Sequence, residues 1–377
     1  MASSKKNDVI SIAAPHTIKK FELISKYVEA WAHILLESGK CNGIVYIDCM
    51  SNSGLYRRET ADGEVIEGTA LRVANIISNA MKKYTSQQAY IYFNDSESDK
   101  IDELKLHLPA ETHNFHVYTE ARDANELLNS ISSQFKSVFP GMHFLLLYDP
   151  YDARIDWDAL MPFLQNWGEV IINHMVSDSV RAAKMAKSQE AKDKYEKTYR
   201  THIDELVAYG SDRAAYETRI QNIIKNLCGR EEKYFVASFP FFNSNNSLVY
   251  NLIHCTGNKV GFDLFKSTAW QVFDDQSSDR RVKDEGYDQL TLNVITGEIE
   301  FDQAKDGLHY TVRDIATYVQ KKYRGKSNVS CNEIKECLNS HPIFPLRGYY
   351  RKVCNELRRV YGAEIHRESI SFTDRSC

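Results

Sequence analysis

The chain has 377 residues, 43% of them apolar and 26% charged, with 47 Lys+Arg against 51 Asp+Glu. That composition excludes disordered, fibrous and membrane-spanning classes and leaves room for about two or three folded domains. The N-terminus, Met-Ala-Ser-Ser-Lys-Lys, has no apolar leader core, so a cytoplasmic protein is expected.

Phe21, Ile24, Tyr27, Val28, Trp31, Ile34 and Leu35 recur at helical spacing behind Thr17, which can cap the helix. The β-branched run Ile44 to Asp48 follows as a buried strand. A polar loop, Cys49 to Gly68, leads to a helix from about Thr69 to Met81. Strands Ala89–Phe93, Asn114–Tyr118, Phe144–Tyr148 and Val170–Asn173 then alternate with helices of about a dozen residues, which predicts a parallel, doubly wound sheet of Rossmann type. Residues 178–233 read as a helical insertion. Two further strands, Phe235–Phe241 and Leu248–Cys255, would close one edge of the sheet.

This gives a first domain over residues 1–275, a polar linker over 276–304 and a second domain over 305–377. The second domain orders three helices, opened by Thr311, Ser330 and Arg347, before a short hairpin, the order of a winged helix-turn-helix. From Lys305 onward there are 14 Lys+Arg and 8 Asp+Glu, leaving 33 against 43 for the body. A basic tail on an acidic body suits an anionic partner, although a solvated surface accounts for the charge equally well.

Ligands of open α/β sheets sit beyond the carboxyl ends of the strands. The turn Asp48-Cys49-Met50-Ser51-Asn52-Ser53-Gly54 has one glycine and lacks a dinucleotide fingerprint. A nucleoside such as S-adenosylmethionine has no pyrophosphate to cradle, and Asn52 tolerates the left-handed backbone of a tight turn. Asp48, Ser51 and Gly54 are candidates for its amino-acid end. Asp95, after the second strand, is the candidate acceptor for ribose hydroxyls, with Asn94 beside it. A polar loop without ligand and a helix cap are the structural alternatives.

Asp149-Pro150-Tyr151 follows the most apolar strand and is the sharpest local motif. An exocyclic amine is a poor nucleophile while its lone pair is delocalised into the base. Acceptors on Asp149 and Pro150 can hold its protons, and the ring of Tyr151 can stack on the base. Plain turn chemistry is the alternative. His16, Lys19 and Lys20 open the first helix and could face this end. In the tail, Tyr350, Arg351, Arg358 and Arg359 interleave basic and aromatic groups on one helix, which suits phosphate and base contacts, with a protein-binding or purely structural winged helix as the alternative. No metal-ligand spacing, GxSxG elbow or P-loop is present.

Taken as an ordered series, His16-Thr17-x-x-Lys20, Tyr46 to Tyr56, Glu67-Gly68-Thr69 and Asp149-Pro150-Tyr151 resemble the bacterial three-Cys-motif partner proteins over roughly residues 10–270. The resemblance implies a methyltransferase-like core, a C-terminal winged helix, a link to mobile elements or phage, and a radical-SAM-like partner protein with a three-cysteine motif. Many relatives read Asp-Gly-Phe-Ala-Gly-x-Gly in the first turn. Here Cys49 and Asn52 replace two glycines, and their side chains are expected to crowd the methionine moiety. The sequence therefore predicts an S-adenosylmethionine-dependent methyltransferase acting on nucleic acid. The alternative is a non-catalytic adaptor that binds its three-cysteine partner and nucleic acid.

Overall fold

A computed structural model describes residues 9–166, 168–177, 185–210, 212–229, 234–281, 291–292, 299–300 and 308–374. The body opens with β1 (Ser11–Ala13) and α1 (Pro15–Glu37). The helix starts at Pro15, whose fixed φ suits the first turn, and Thr17 lies inside it rather than capping it. Strand β2 (Gly43–Asp48) is buried throughout. The expected loop from Cys49 to Gly68 contains a hairpin, β3 (Leu55–Arg58) and β4 (Val65–Glu67), and β1 pairs with β3 in parallel.

Then follow α2 (Thr69–Lys83), β5 (Gln88–Asn94), α3 (Ser98–Lys105), β6 (Phe115–Glu120), α4 (Ala124–Val138), β7 (Met142–Tyr148), α5 (Trp157–Gln165) and β8 (Gly168–His174). The insertion carries α6 (Gln189–Tyr199), α7 (Ile203–Ala208) and α8 (Arg213–Cys228). Strands β9 (Phe235–Phe242) and β10 (Leu248–Thr256) precede α9 (Lys259–Val272), a helix with no counterpart in the sequence reading.

The main sheet has seven strands in the order β6-β5-β2-β7-β8-β10-β9. The first five are parallel, β10 runs antiparallel to them, and β9 beyond it runs with the five again. This is a doubly wound, methyltransferase-like Rossmann sheet. Alternation along β2 shows why helices cover both faces. Ile44 and Tyr46 enter one core with α1, α2 and α9, while Val45 and Ile47 enter the other with α4, α5 and α8.

After a short pair, β11 (Thr291–Leu292) and β12 (Ile299–Glu300), the tail comprises α10 (Val312–Tyr323), β13 (Val329–Ser330), α11 (Cys331–Ser340), α12 (Tyr350–Tyr361), β14 (Glu364–Ile365) and β15 (Ser369–Ser371). Thr311 and Asp314 form a capping box, and Ser330 caps α11 through the Asn332 N–H. The three strands form one antiparallel sheet in the order β13-β15-β14. The first apolar core runs without a break from α1 into α10, α11 and α12. Most of the expected linker, residues 276–304, lies outside the described residues.

Candidate functional site

The parallel strands end together, and their ends carry the candidate residues. After Asp48 the chain turns back onto the end of β5. The Ser51 amide and hydroxyl donate to the Asn94 carbonyl at 2.7 and 3.1 Å, and the Asn94 side chain donates to the Cys49 carbonyl at 3.1 Å. Asn94 therefore staples the turn, and Asp95 is the carboxylate of this pair. Asn52 has φ 57° and Gly54 φ 74°, so the turn is as tight as a glycine-rich one. A Cβ on Gly54 would lie 2.5 Å from Leu104 Cδ1 and 2.8 Å from Leu71 Cγ.

Of the two side chains expected to crowd a methionine moiety, Cys49 turns away, whereas Asn52 Nδ2 also reaches the Tyr151 hydroxyl at 3.3 Å. Cys49 is fully buried in the second core, with its thiol directed at the Leu147 carbonyl. Asn52 turns toward the N-terminal strand and donates to Ser11 Oγ at 3.0 Å.

Asp95 is 1% exposed. Its Oδ2 accepts from the Asn52 N–H at 3.1 Å and from the Tyr151 hydroxyl at 3.0 Å, and its Oδ1 accepts from the Glu97 N–H at 3.1 Å. Lys100 Nζ stands 4.0 Å from Oδ1 and 5.0 Å from the centre of the Tyr151 ring. A phenolic hydroxyl thus occupies the position expected for a ribose hydroxyl. Tyr151 is itself 62% exposed.

Asp149, at the end of β7, is held on both oxygens. Lys20 Nζ donates to Oδ2, and Asn173 Nδ2 donates to Oδ1 at 2.5 Å. Lys20 is buried and lies 5.3 Å over the Tyr250 ring. Asp48 is buried beside this pair. Burial first, then the Asp149 charge, pushes its carboxyl up to about 8. Around these groups Tyr46 Oη, Asn173 Oδ1 and His16 Nδ1 are buried with no hydrogen-bond partner among the described residues. Orphaned polar atoms are costly, and a cluster of them beside a buried ion pair marks a place built for a ligand or water.

The structure brings Asp48, Ser51, Gly54, Asp95, Asp149, Pro150 and Tyr151 to one end of the sheet, with Lys20 at its centre. Asn173 and Tyr250 were not legible. Asn173 ends a strand, as Asp95 nearly does, which is a usable signal. Tyr250 lies within an antiparallel strand and gives none.

In the tail, Arg351, Arg358 and Arg359 are exposed on α12, and Arg359 pairs with Glu356 at 2.7 Å. Tyr350 differs from expectation. Its hydroxyl is buried against Cys331 and Cys354 rather than turned to solvent. Its ring lies 5.2 Å from Lys335 Nζ. Tail residues Tyr318, Lys322, Glu333, Cys337 and His341 line a separate groove of about 480 Å³.

No family model matches this chain, and no curated protein matches it. Among solved structures it is similar to LPL1258 of Legionella pneumophila at 12% identity and TM-score 0.39, covering 67% of this chain and 92% of that one. It is also similar to a fibrillarin/Nop5p complex chain at 13% identity and TM-score 0.29, covering 56% and 71%. A loganic acid methyltransferase with S-adenosylhomocysteine aligns at 8% identity and TM-score 0.23, covering 64% and 96%. The strand order β6-β5-β2-β7-β8-β10-β9 itself defines the fold. Among the described residues, no helix is long and apolar enough to cross a membrane.

Proposed function

We propose that this chain is an S-adenosylmethionine-dependent methyltransferase acting on nucleic acid. One observation carries the reading. A tight left-handed turn, a hydroxyl-accepting carboxylate and an anchored Asp-Pro-Tyr meet at the carboxyl end of one sheet. The donor set fits the cofactor once the Tyr151 hydroxyl yields its place on Asp95 to a ribose hydroxyl. When bound, the cofactor supplies an electrophilic methyl group.

The chain's own residues would hold and orient. Asp95 would accept from the ribose, and the backbone of Ser51 to Gly54 would hold the amino-acid end. Lys20 and Asn173 fix the Asp149 carboxylate so that it and the Pro150 carbonyl accept the protons of an exocyclic amine. The exposed Tyr151 ring offers a stacking face. The tail we read as a winged helix with α12 as its nucleic-acid helix. Isothermal titration with S-adenosylmethionine and S-adenosylhomocysteine tests the reading. Micromolar binding lost in a folded Asp95→Ala variant is expected. Full methyl transfer by Asp149→Ala would overturn the role given to that carboxylate.

A second reading is favoured by the burial of Asp95. With its oxygens already satisfied, the body could serve without chemistry as an adaptor for a three-cysteine-motif partner. A folded protein that binds neither ligand, alone or with that partner, selects it.

A further inference from the structure

We infer that α12 and the strand-end site form one continuous surface for double-stranded DNA, so that the tail presents the duplex to the site instead of tethering it independently. The inference rests on the nucleic-acid reading above and names its substrate class.

Contacts between α9 and the tail fix the geometry. Lys266 Nζ donates to the carbonyls of Leu338, Asn339 and His341 at 3.2, 3.2 and 2.8 Å. The Asp263 carboxylate accepts from the N–H groups of Leu346 and Arg347 at 2.8 and 3.0 Å. Trp270 Nε1 donates to the Ile343 carbonyl at 3.0 Å, inside the shared apolar core.

The end of α9 joins the two places. Lys19 Nζ, next in sequence to the site's Lys20, donates to the Val272 carbonyl at 2.9 Å. Three residues on, Asp275 accepts from the Tyr349 hydroxyl at 2.8 Å and pairs with Lys352 at 2.6 Å, at the start of α12. The start of α12 is therefore tied to the carboxyl end of the sheet.

Cations line the route. Arg281 is exposed, and its backbone is held by Asn246 through bonds of 2.6 and 3.0 Å at the β9–β10 turn. Arg280 lies 5.4 Å over the Phe242 ring. Nearby Asp279 is turned onto the Phe242 N–H, and Asp275 is neutralised by Lys352. Asp274 is an exposed carboxylate that opposes them. On α12, Arg351, Asn355 and Arg358 are exposed at i, i+4 and i+7, one stripe of a helix about 18 Å long. A helical stripe with Arg and Asn fits the major groove of B-form DNA, whereas the A-form major groove of RNA is too narrow to admit it.

The test is fluorescence anisotropy on the full chain over a salt series, with labelled DNA duplexes of about one and about two helical turns. Arg351→Ala with Arg358→Ala should weaken both probes at least about tenfold. Arg281→Ala should weaken the longer probe about threefold to fivefold, lower its salt slope by about one, and leave the shorter probe unchanged. If the tail variant weakens binding while Arg281→Ala changes neither probe, the tail binds alone and the continuous surface is wrong while the nucleic-acid reading stands. Equal affinity for a matched RNA duplex overturns the DNA assignment. If the unaltered protein binds neither duplex, or the tail variant has no effect, the nucleic-acid reading of the tail falls with it.

Discussion

Tyr151 and Asp95 meet hydroxyl to carboxylate at 3.0 Å, joining the end of β7 to the end of β5 across the space a nucleoside would enter. The phenol comes from the motif read as the base-stacking element, and the carboxylate from the residue read as the ribose acceptor. One contact thus couples the two halves of the site. A ligand that takes this place on Asp95 Oδ2 displaces Tyr151.

The first prediction follows from that competition. A hydrogen bond to a charged group contributes about 1.5–3 kcal/mol net. Tyr151→Phe removes the competing donor and keeps the ring. The variant should bind S-adenosylhomocysteine about tenfold tighter in isothermal titration, since 1.4 kcal/mol is a factor of about 10. Unchanged or weaker binding would mean that the ligand does not use Asp95.

The second concerns Lys20. Its ammonium is buried, and its partner Asp149 is 21% exposed at the side chain. Removing one member of a buried pair costs about 3–5 kcal/mol, less where the partner reaches solvent. Lys20→Met should lower stability by about 2–3 kcal/mol in urea unfolding. Adding Asp149→Asn should restore much of that loss, because the uncompensated charge is then gone. A double variant that is additive would show that the pair does not act as a unit.

Much of the sheet was legible because its signal is local. β2, β5, β7 and β8 are short apolar runs ending in polar turns, and the strand-end rule then placed Asp48, Asp95 and Asp149 on one side. What escaped is long-range. β1 and β3 are four residues or fewer, and their pairing joins residues 45 apart, such as Ser11 and Tyr56. The helix α9 is buried on nearly every side, including its Asp263 and Lys266, so it lacks the polar face that marks a surface helix. Cys49 was expected to face the ligand. Its position just past a strand leaves either direction open, and the second core takes it.

The third prediction is a pH dependence at Asp48. Its folded carboxyl sits at about 8 against an ordinary value of 3.8, because burial and then Asp149 disfavour the charge. Between about pH 4 and about pH 8 the unfolded chain has lost this proton and the folded chain keeps it, so this group makes stability fall as pH rises. The cost is at most about 1.4 kcal/mol per pH unit. Asp48→Asn abolishes the dependence. In chemical denaturation, the stability of this variant relative to the parent should climb from about pH 5 to about pH 8 and then level off. A flat difference would mean that Asp48 is ionised in the folded protein.

The fourth separates the tail's anchoring from its charge. Burial pushes the Lys266 ammonium down to about 7, against the pull of Asp263. Between about pH 7 and about pH 10.5 the unfolded chain holds a proton that the folded chain has released, so this group makes stability rise with pH in that window, and below it the contribution is flat. Lys266→Met removes the donor to three carbonyls at the end of α11, of which Leu338 keeps the His341 N–H, and each buried group left without a partner costs about 1–3 kcal/mol. Hydrogen exchange read at the amides of Leu346, Arg347 and Tyr349 should therefore accelerate strongly at pH 8, with β2 and β7 little changed. The parent's advantage over the variant should widen from pH 7 to pH 9. If protection were lost equally in β2 and β7, the tail and sheet would unfold as a single unit, and α9 would serve as part of one core instead of as a separable anchor.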